Sequence, residues 1–505
     1  MCQQYLNSHH ITNRRGLGFL PVTSLKLNTA NMKRVLYLLI IAAMAATFFT
    51  AGCTKENKAE PESVEPVEVG GLTLSITIPN AVPVNDTRSV QEPSALESEI
   101  KTVSVFVFNP NGTRAAAGAH TKRTVGQFTN VQGVWKLKDA DYIATAAGEN
   151  MKIYVGVNLP TSIDTLYNTE AALLDVIANL DHLDSSINTG FSMFSTGVTT
   201  TSVAVFHEDN VSNIASVYVK VERIVAKVVT TNSAPVSALT ATWSGIGTGN
   251  TGPTMVFSIT NYRVFNYGAT SYIAPKITSN TRVSTQRRTN FEQSLIRVPH
   301  TEALHVIATP TGTEAQRQTA RRNLPGYYVC ENIGGTSYGN ATYVYVASTV
   351  NITHAAGVSG NNIVYAAVPG GYGKGTSDVF VVRDKVNEID YVTNNESKAN
   401  AVALFLDNGS KYYIYRKGYV HFPICIYRVG DGKFDVLRNW YIHVDITGLA
   451  GGGELFHGYP GRNERPEDPT DPTIDNGNNP WSDAWLAVNI RMEAWDYLYK
   501  GAVLQ

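Results

Sequence analysis

Several short motifs carry residue types that do chemistry, and each lacks the surroundings its chemistry needs. Gly247-Thr248-Gly249-Asn250-Thr251-Gly252 satisfies GxGxxG. A dinucleotide site requires a strand before that loop and a helix after it, so that the pyrophosphate meets the helix N-terminus. Here Pro253 and a β-like run come next, as in a plain glycine-rich loop. In Gly371-Tyr372-Gly373-Lys374-Gly375-Thr376 the lysine is not followed directly by the Ser or Thr of a phosphate loop. His300 and His305 are spaced so that one helical face would not hold both as zinc ligands. Asp468, Asp471 and Asp475 lack calcium-loop spacing, and no Ser, His and acid set with an elbow motif is present. Paired carboxylates for glycoside cleavage need only meet in space, so that class stays open. The expectation is a chain that is not an enzyme, with no metal and no cofactor.

The elements that would position any site are strands. Leu486, Val488, Ile490 and Met492 alternate with Ala487, Asn489, Arg491 and Glu493, and Trp495 closes the run. That is the period-2 pattern of a half-buried strand. It hangs from a Pro-, Asp- and Asn-rich tether, 465–481, with no core-forming content. The same design appears early: Leu72, Leu74, Ile76 and Ile78 alternate with Thr73, Ser75 and Thr77 until Pro79. Two strands of one pattern at opposite ends suggest that one can replace the other in a single groove. The terminal strand is then expected to project free or to pack loosely, with the early strand paired inside the first domain.

Composition agrees with an all-β exported protein. Of 505 residues only 16% are charged and the net charge is -1, which gives no footprint for nucleic acid or an anionic membrane surface. Tyr, Thr and Val, which suit pleated surfaces, are plentiful. Met32 starts a leader: basic Lys33 and Arg34, an apolar run over 35–49, then Thr50-Ala51-Gly52-Cys53. The small residues before Cys53 resemble a lipobox, with Thr50 where Leu is usual, and this marks Cys53 for lipidation. Cys2 lies upstream of that start. Cys330 and Cys425 remain, either as a pair or as two buried thiols.

Along the chain, 101–108 is apolar at nearly every residue and reads as a strand buried on both faces, followed by the turn Asn109-Pro110-Asn111-Gly112. Residues 152–158 read as another strand. Thr169 can cap a helix in which Leu173, Val176, Ile177 and Leu180 share a face. Residues 216–230 read as one long strand, with Arg223 and Lys227 on its wetter face. The polar stretch 231–239 suggests a domain boundary. Short strands punctuated by Gly, Pro and Asn over 255–446 point to a second β-sandwich.

Taken in order, these stretches resemble the FimA/Mfa-type fimbrillins, subunits of type V fimbriae in Bacteroidales. The resemblance is carried by the Cys53 leader, the strand at 72–78, Arg88 in the loop after it, VFN at 107–109 and VGVNLP at 155–160. It continues in VERIVAKV at 221–228, YRKGYVHFPI at 415–424, VLRNWYIHVDI at 436–446, the tether and the last strand. It implies an all-β fold with minor α: two transthyretin-like β-sandwich domains and a C-terminal donor strand. The implied parts are upstream residues and signal peptide 1–52, propeptide with first strand 53–88, domains 89–232 and 233–464, and tether with donor strand 465–505. It implies lipidation at Cys53 and cleavage by an extracellular Arg-specific protease after Arg88, leaving Ser89 first. The displaced strand carries Leu72, Leu74, Ile76 and Ile78; the donor carries Leu486, Val488, Ile490, Met492 and Trp495. Partners would be other copies, head to tail, accessory fimbrial subunits, and host proteins or other bacteria. The precursor would be an outer-membrane lipoprotein and the mature form part of an extracellular fimbria serving adhesion. Arg88 also suits cleavage physically, because its loop is polar and contains Pro. Arg114 is a rival lying beyond the buried strand. A surface lipoprotein that binds glycan or host protein without polymerising, or a fimbrial tip or anchor subunit, are the competing readings.

Overall fold

Leu72, Leu74 and Ile76 are fully buried and Ile78 is nearly so, which fixes the early strand inside a sheet, not at its rim. In the computed structural model, which describes residues 67–78, most of 90–449, 459–460 and 486–495, this first strand is Val69–Thr77. It runs parallel to Ala215–Arg223 on one side. On the other it is antiparallel to Val134–Leu137 and Ile143–Ala146. Gly70 is required by close approach: a Cβ there would lie 2.3 Å from the Ala204 carbonyl oxygen.

The sheet continues outward from Ala215–Arg223 through Met193–Ser195, Gly148–Val157, Thr102–Phe108 and His120–Thr124. Thr102–Phe108 is buried from Val103 onward, as expected of a strand covered on both faces. Its turn closes with the Gly112 amide donating to the Asn109 carbonyl at 2.9 Å, and Gly112 has φ 80°. Asn158, in the left-handed region at φ 52°, accepts at Oδ1 from the amides of Lys101 and Thr102 and donates from Nδ2 to the carbonyls of Glu99 and Phe191. One side chain thus stitches the start of that strand to two neighbours.

A second sheet orders Val90–Gln91, Leu486–Trp495, Trp440–Leu449, Ala226–Asn232 and Tyr327–Val329. A third is built on Thr254–Phe265, the 17-residue strand Tyr343–Ser359 and Tyr419–Cys425. A small three-stranded sheet with the helix Glu396–Leu406 forms its own core around Phe380, Val382, Tyr391 and Val402. The architecture is all-β with minor α. The described residues belong to one compact unit, Val67–Gln505, and one hydrophobic cluster runs from Leu72 to Leu486.

Three expectations are corrected. The single strand over 216–230 is two, Ala215–Arg223 and Ala226–Asn232, which break at Ile224-Val225 and enter different sheets. Both break residues are fully buried, so the chain passes through the core without a polar turn. The helix capped by Thr169 ends at Leu174, and Ile177–Asn179 is a strand pairing with Thr270–Tyr272. Thr169 does cap, accepting from the Ala172 amide at 3.2 Å. Finally, Arg223 and Lys227 do not face water: they are 0% and 1% exposed.

Candidate functional site

The first strand lies between two walls of one sheet, which among the described strands are joined through it. Ala215–Arg223 supplies one wall, with Val217, Val219 and Val221 buried. Val134–Leu137 and Ile143–Ala146 supply the other, with Leu137 and Ile143 fully buried. Removing Val69–Thr77 would expose two unpaired strand edges and the apolar surface that Leu72, Leu74, Ile76 and Ile78 now fill. Each of those side chains contributes about 1.5–3 kcal/mol by burial. An open double edge of this kind is the binding surface used in strand addition, where main-chain hydrogen bonds supply affinity and alternate side chains fill pockets.

The terminal strand is not free. Leu486–Trp495 pairs antiparallel with Trp440–Leu449 along its whole length, from Leu449↔Leu486 to Trp440↔Ala494, with a register shift between Ile446 and Gly448. Leu486 is buried in the main core. The expectation of a projecting or loosely packed tail is therefore corrected. The reason lies in the partner: Trp440–Leu449 carries Ile442, Val444 and Ile446, all fully buried, and a bare edge beside them would leave backbone groups unpaired. The outer edge of the terminal strand meets Val90–Gln91, which pairs with Ala494 and Trp495. The segment shortly after Arg88 thus touches the end of the terminal strand, a connection no sequence pattern announced. Arg88, Ser89 and Cys53 themselves lie outside the described residues, as do the side chains of Val488, Ile490, Met492 and Trp495.

Arg114 sits in ordered structure. Its backbone bridges to Phe108, its amide donates to the Asn168 carbonyl at 3.0 Å, and its Nη1 donates to Asn168 Oδ1 at 3.2 Å. A protease would have to unpick those contacts before cutting there. Cys330 and Cys425 are free thiols. Arg223 and Lys227, instead of facing solvent, join a buried junction where the two sheets meet. Lys227 Nζ lies 2.6 Å from Glu97 Oε1, and Tyr328 donates its hydroxyl to the same oxygen at 2.7 Å. Arg223 Nε donates to the Glu97 carbonyl at 2.8 Å and its Nη1 to Asn439 Oδ1 at 3.1 Å. Deeper in, Arg438 donates to Glu331 Oε2 at 2.8 Å and to the carbonyls of Ile273 and Tyr272. Arg282 donates to both oxygens of Glu222. Burial pushes the Glu222 carboxyl above its ordinary range, against the pull of Arg438 and Arg282.

This junction pins the chain downstream of Arg88, because Glu97 is held by Lys227 and Arg223. Among the described residues no group of His, Cys, Asp and Glu is arranged to hold a metal.

No family model matches the chain, and no curated protein matches it. Solved structures do. The chain is similar to a candidate cell adhesion protein from Parabacteroides distasonis, at 16% identity and a TM-score of 0.42, covering 86% of this chain and 99% of that one. It is similar to a fimbrilin (FimA) from Porphyromonas gingivalis, at 13% identity and a TM-score of 0.41, covering 85% of this chain and 98% of that one. A C-terminally truncated tip fimbrial protein, also from Porphyromonas gingivalis, is 11% identical at a TM-score of 0.39, covering 84% of this chain and 100% of that one.

Proposed function

We propose that the chain is a structural stalk subunit of a cell-surface fimbria that polymerises by losing its first strand and accepting the terminal strand of another copy. The observation that carries this reading is the placement of Val69–Thr77: an inner strand, paired on both sides, that precedes Arg88 in the sequence. Inner strands are ordinarily tied into the fold by both ends. This one is followed by the polar stretch 80–89, with its single arginine, and Glu97 anchors the chain beyond it.

Exchange has a physical driving force. In its own sheet the terminal strand is paired along its length on one side only, with two residues covered on the other. The vacated groove offers partners on both sides. Each additional backbone hydrogen bond contributes about 0.5–1.5 kcal/mol net. One donor and one acceptor per subunit is a head-to-tail contact, which builds an open filament. Leaving the home sheet requires the whole ladder to part, so assembly is slow and the finished polymer is kinetically stable. In this reading Cys53 anchors the exported precursor at the outer membrane until an Arg-specific protease cuts after Arg88, and the mature subunit joins accessory subunits in an adhesive fibre.

Arg88→Ala tests the reading. Export and folding should be unchanged, and the high-mass ladders of unheated gel samples should vanish, leaving monomer. Ladders persisting in the variant would sink it. A second reading, a surface lipoprotein that binds its ligand as a monomer, is favoured by one observation, the docking of the terminal strand on its own sheet. It requires wild-type and Arg88→Ala chains to behave alike.

A further inference from the structure

The most unusual chemistry among the described residues is the Glu97–Lys227 contact. Glu97 belongs to the single turn Leu96–Ser98, and Lys227 to the strand Ala226–Asn232. The amine and one carboxyl oxygen are 2.6 Å apart, and the two side chains are 3% and 2% exposed. The amine lies near two aromatic faces, 6.0 Å from the centre of the Tyr328 ring and 5.7 Å from that of Tyr441. Phe191 packs edge-on against Tyr328, 4.6 Å between centroids.

We propose that Glu97 and Lys227 join in an intramolecular amide bond. In a dry site the ion pair loses the hydration that stabilises it in water, and the neutral pair, amine and carboxylic acid, becomes competitive. Burial pulls the Lys227 ammonium below its ordinary range, and Arg223 adds to this against the opposing effect of Glu97. A desolvated lysine is a nucleophile. The Nζ lone pair attacks Glu97 Cδ, and Tyr328, already donating to Oε1, stabilises the oxygen that gains charge. A proton passes from Nζ to the carboxyl hydroxyl, the Cδ–O bond breaks and water leaves, and the Nζ–Cδ amide remains. No oxidant, cofactor or second substrate is consumed. Holding the two groups in contact supplies the orientation that condensation in water lacks, and the closed surroundings keep water from reversing it.

The bond would tie the residues just after Arg88 covalently to the strand that enters the second sheet. Its value in a fibre under load rests on the fimbrial reading; the bond itself does not.

Tryptic digestion of the denatured full chain, with the peptides weighed by mass spectrometry, decides the matter. Trypsin cuts after Arg88, Lys101, Arg223 and Arg263 whether or not the chain was processed in the cell. The expected product is Ser89–Lys101 joined to Ile224–Arg263, lighter than their sum by one water, with no cut after Lys227. In Glu97→Ala the joined peptide should disappear and cleavage after Lys227 return. Free Ser89–Lys101 together with efficient cleavage after Lys227 in the wild type would overturn the proposal and leave an ion pair. So would a Lys227 cross-link that survives in Glu97→Ala.

Discussion

Chains trimmed after Arg88 and carrying Asp445→Cys with Asn489→Cys are expected to stay monomeric when oxidised and to polymerise when reduced. Asp445 and Asn489 are directly opposite in the antiparallel ladder. Opposed residues in such a ladder have Cα atoms about 4.5–5.5 Å apart, within disulfide reach. The bond would fasten the terminal strand to its home sheet without touching the groove around Val69–Thr77. It has a cost, because Asp445 accepts hydrogen bonds from Thr231 and Ser233 at 2.8 Å each. Losing them should destabilise by about 1 kcal/mol apiece, so Asp445→Cys alone is the control and should still polymerise. Size-exclusion chromatography with and without reductant reads the outcome. Polymer forming equally well from oxidised chains would mean that the terminal strand need not leave.

The largest stability effect is expected from Arg438→Ala. Arg438 is almost completely buried and neutralises Glu331 and Glu222 while donating to the carbonyls of Ile273 and Tyr272. After its removal Arg282, on the partly exposed side, is among the described residues the one cation in contact with the two carboxylates' oxygens, and it is left to balance both. Breaking a buried ionic cluster in this way costs about 3–5 kcal/mol, a large part of the roughly 5–15 kcal/mol that holds a domain together. The urea midpoint should fall sharply, and adding Glu331→Gln and Glu222→Gln should recover much of the loss by removing the stranded charges. A midpoint unchanged in Arg438→Ala would show that the junction is not what holds the sheets together there.

Much of the strand content is legible in local pattern. The alternation of Leu72, Leu74, Ile76 and Ile78 and the run at 102–108, apolar but for Thr102 and Ser104, both report burial through side-chain pattern alone, and both strands are where that pattern puts them. The illegible part depends on distant partners. Arg223 and Lys227 look wet because charged residues usually are; the carboxylate and carbonyl that accept them belong to Glu97, some 130 residues earlier. The break at Ile224-Val225 carries no Gly, Pro or Asn, so nothing local marks the change of sheet. Ile177–Asn179 leaves the helical pattern because Thr270–Tyr272, far along the chain, offers it an edge. The terminal strand is recognisable as a strand, but a period-2 pattern names no partner. It fits any edge with aliphatic neighbours, and the home sheet supplies one in Trp440–Leu449.

That ambiguity is also the core of the proposed function, in which the strand leaves its home edge for the vacated groove of another copy. The decisive measurement uses polymer assembled from a mixture of isotopically heavy and light chains, each with a photoreactive residue at position 490. After irradiation, cross-links should join position 490 of one chain to 215–223 or 134–146 of a chain of the other mass. Links confined to 440–449 of the same chain, in material that has nonetheless polymerised, would contradict the exchange and leave the filament to be explained by surface contacts alone.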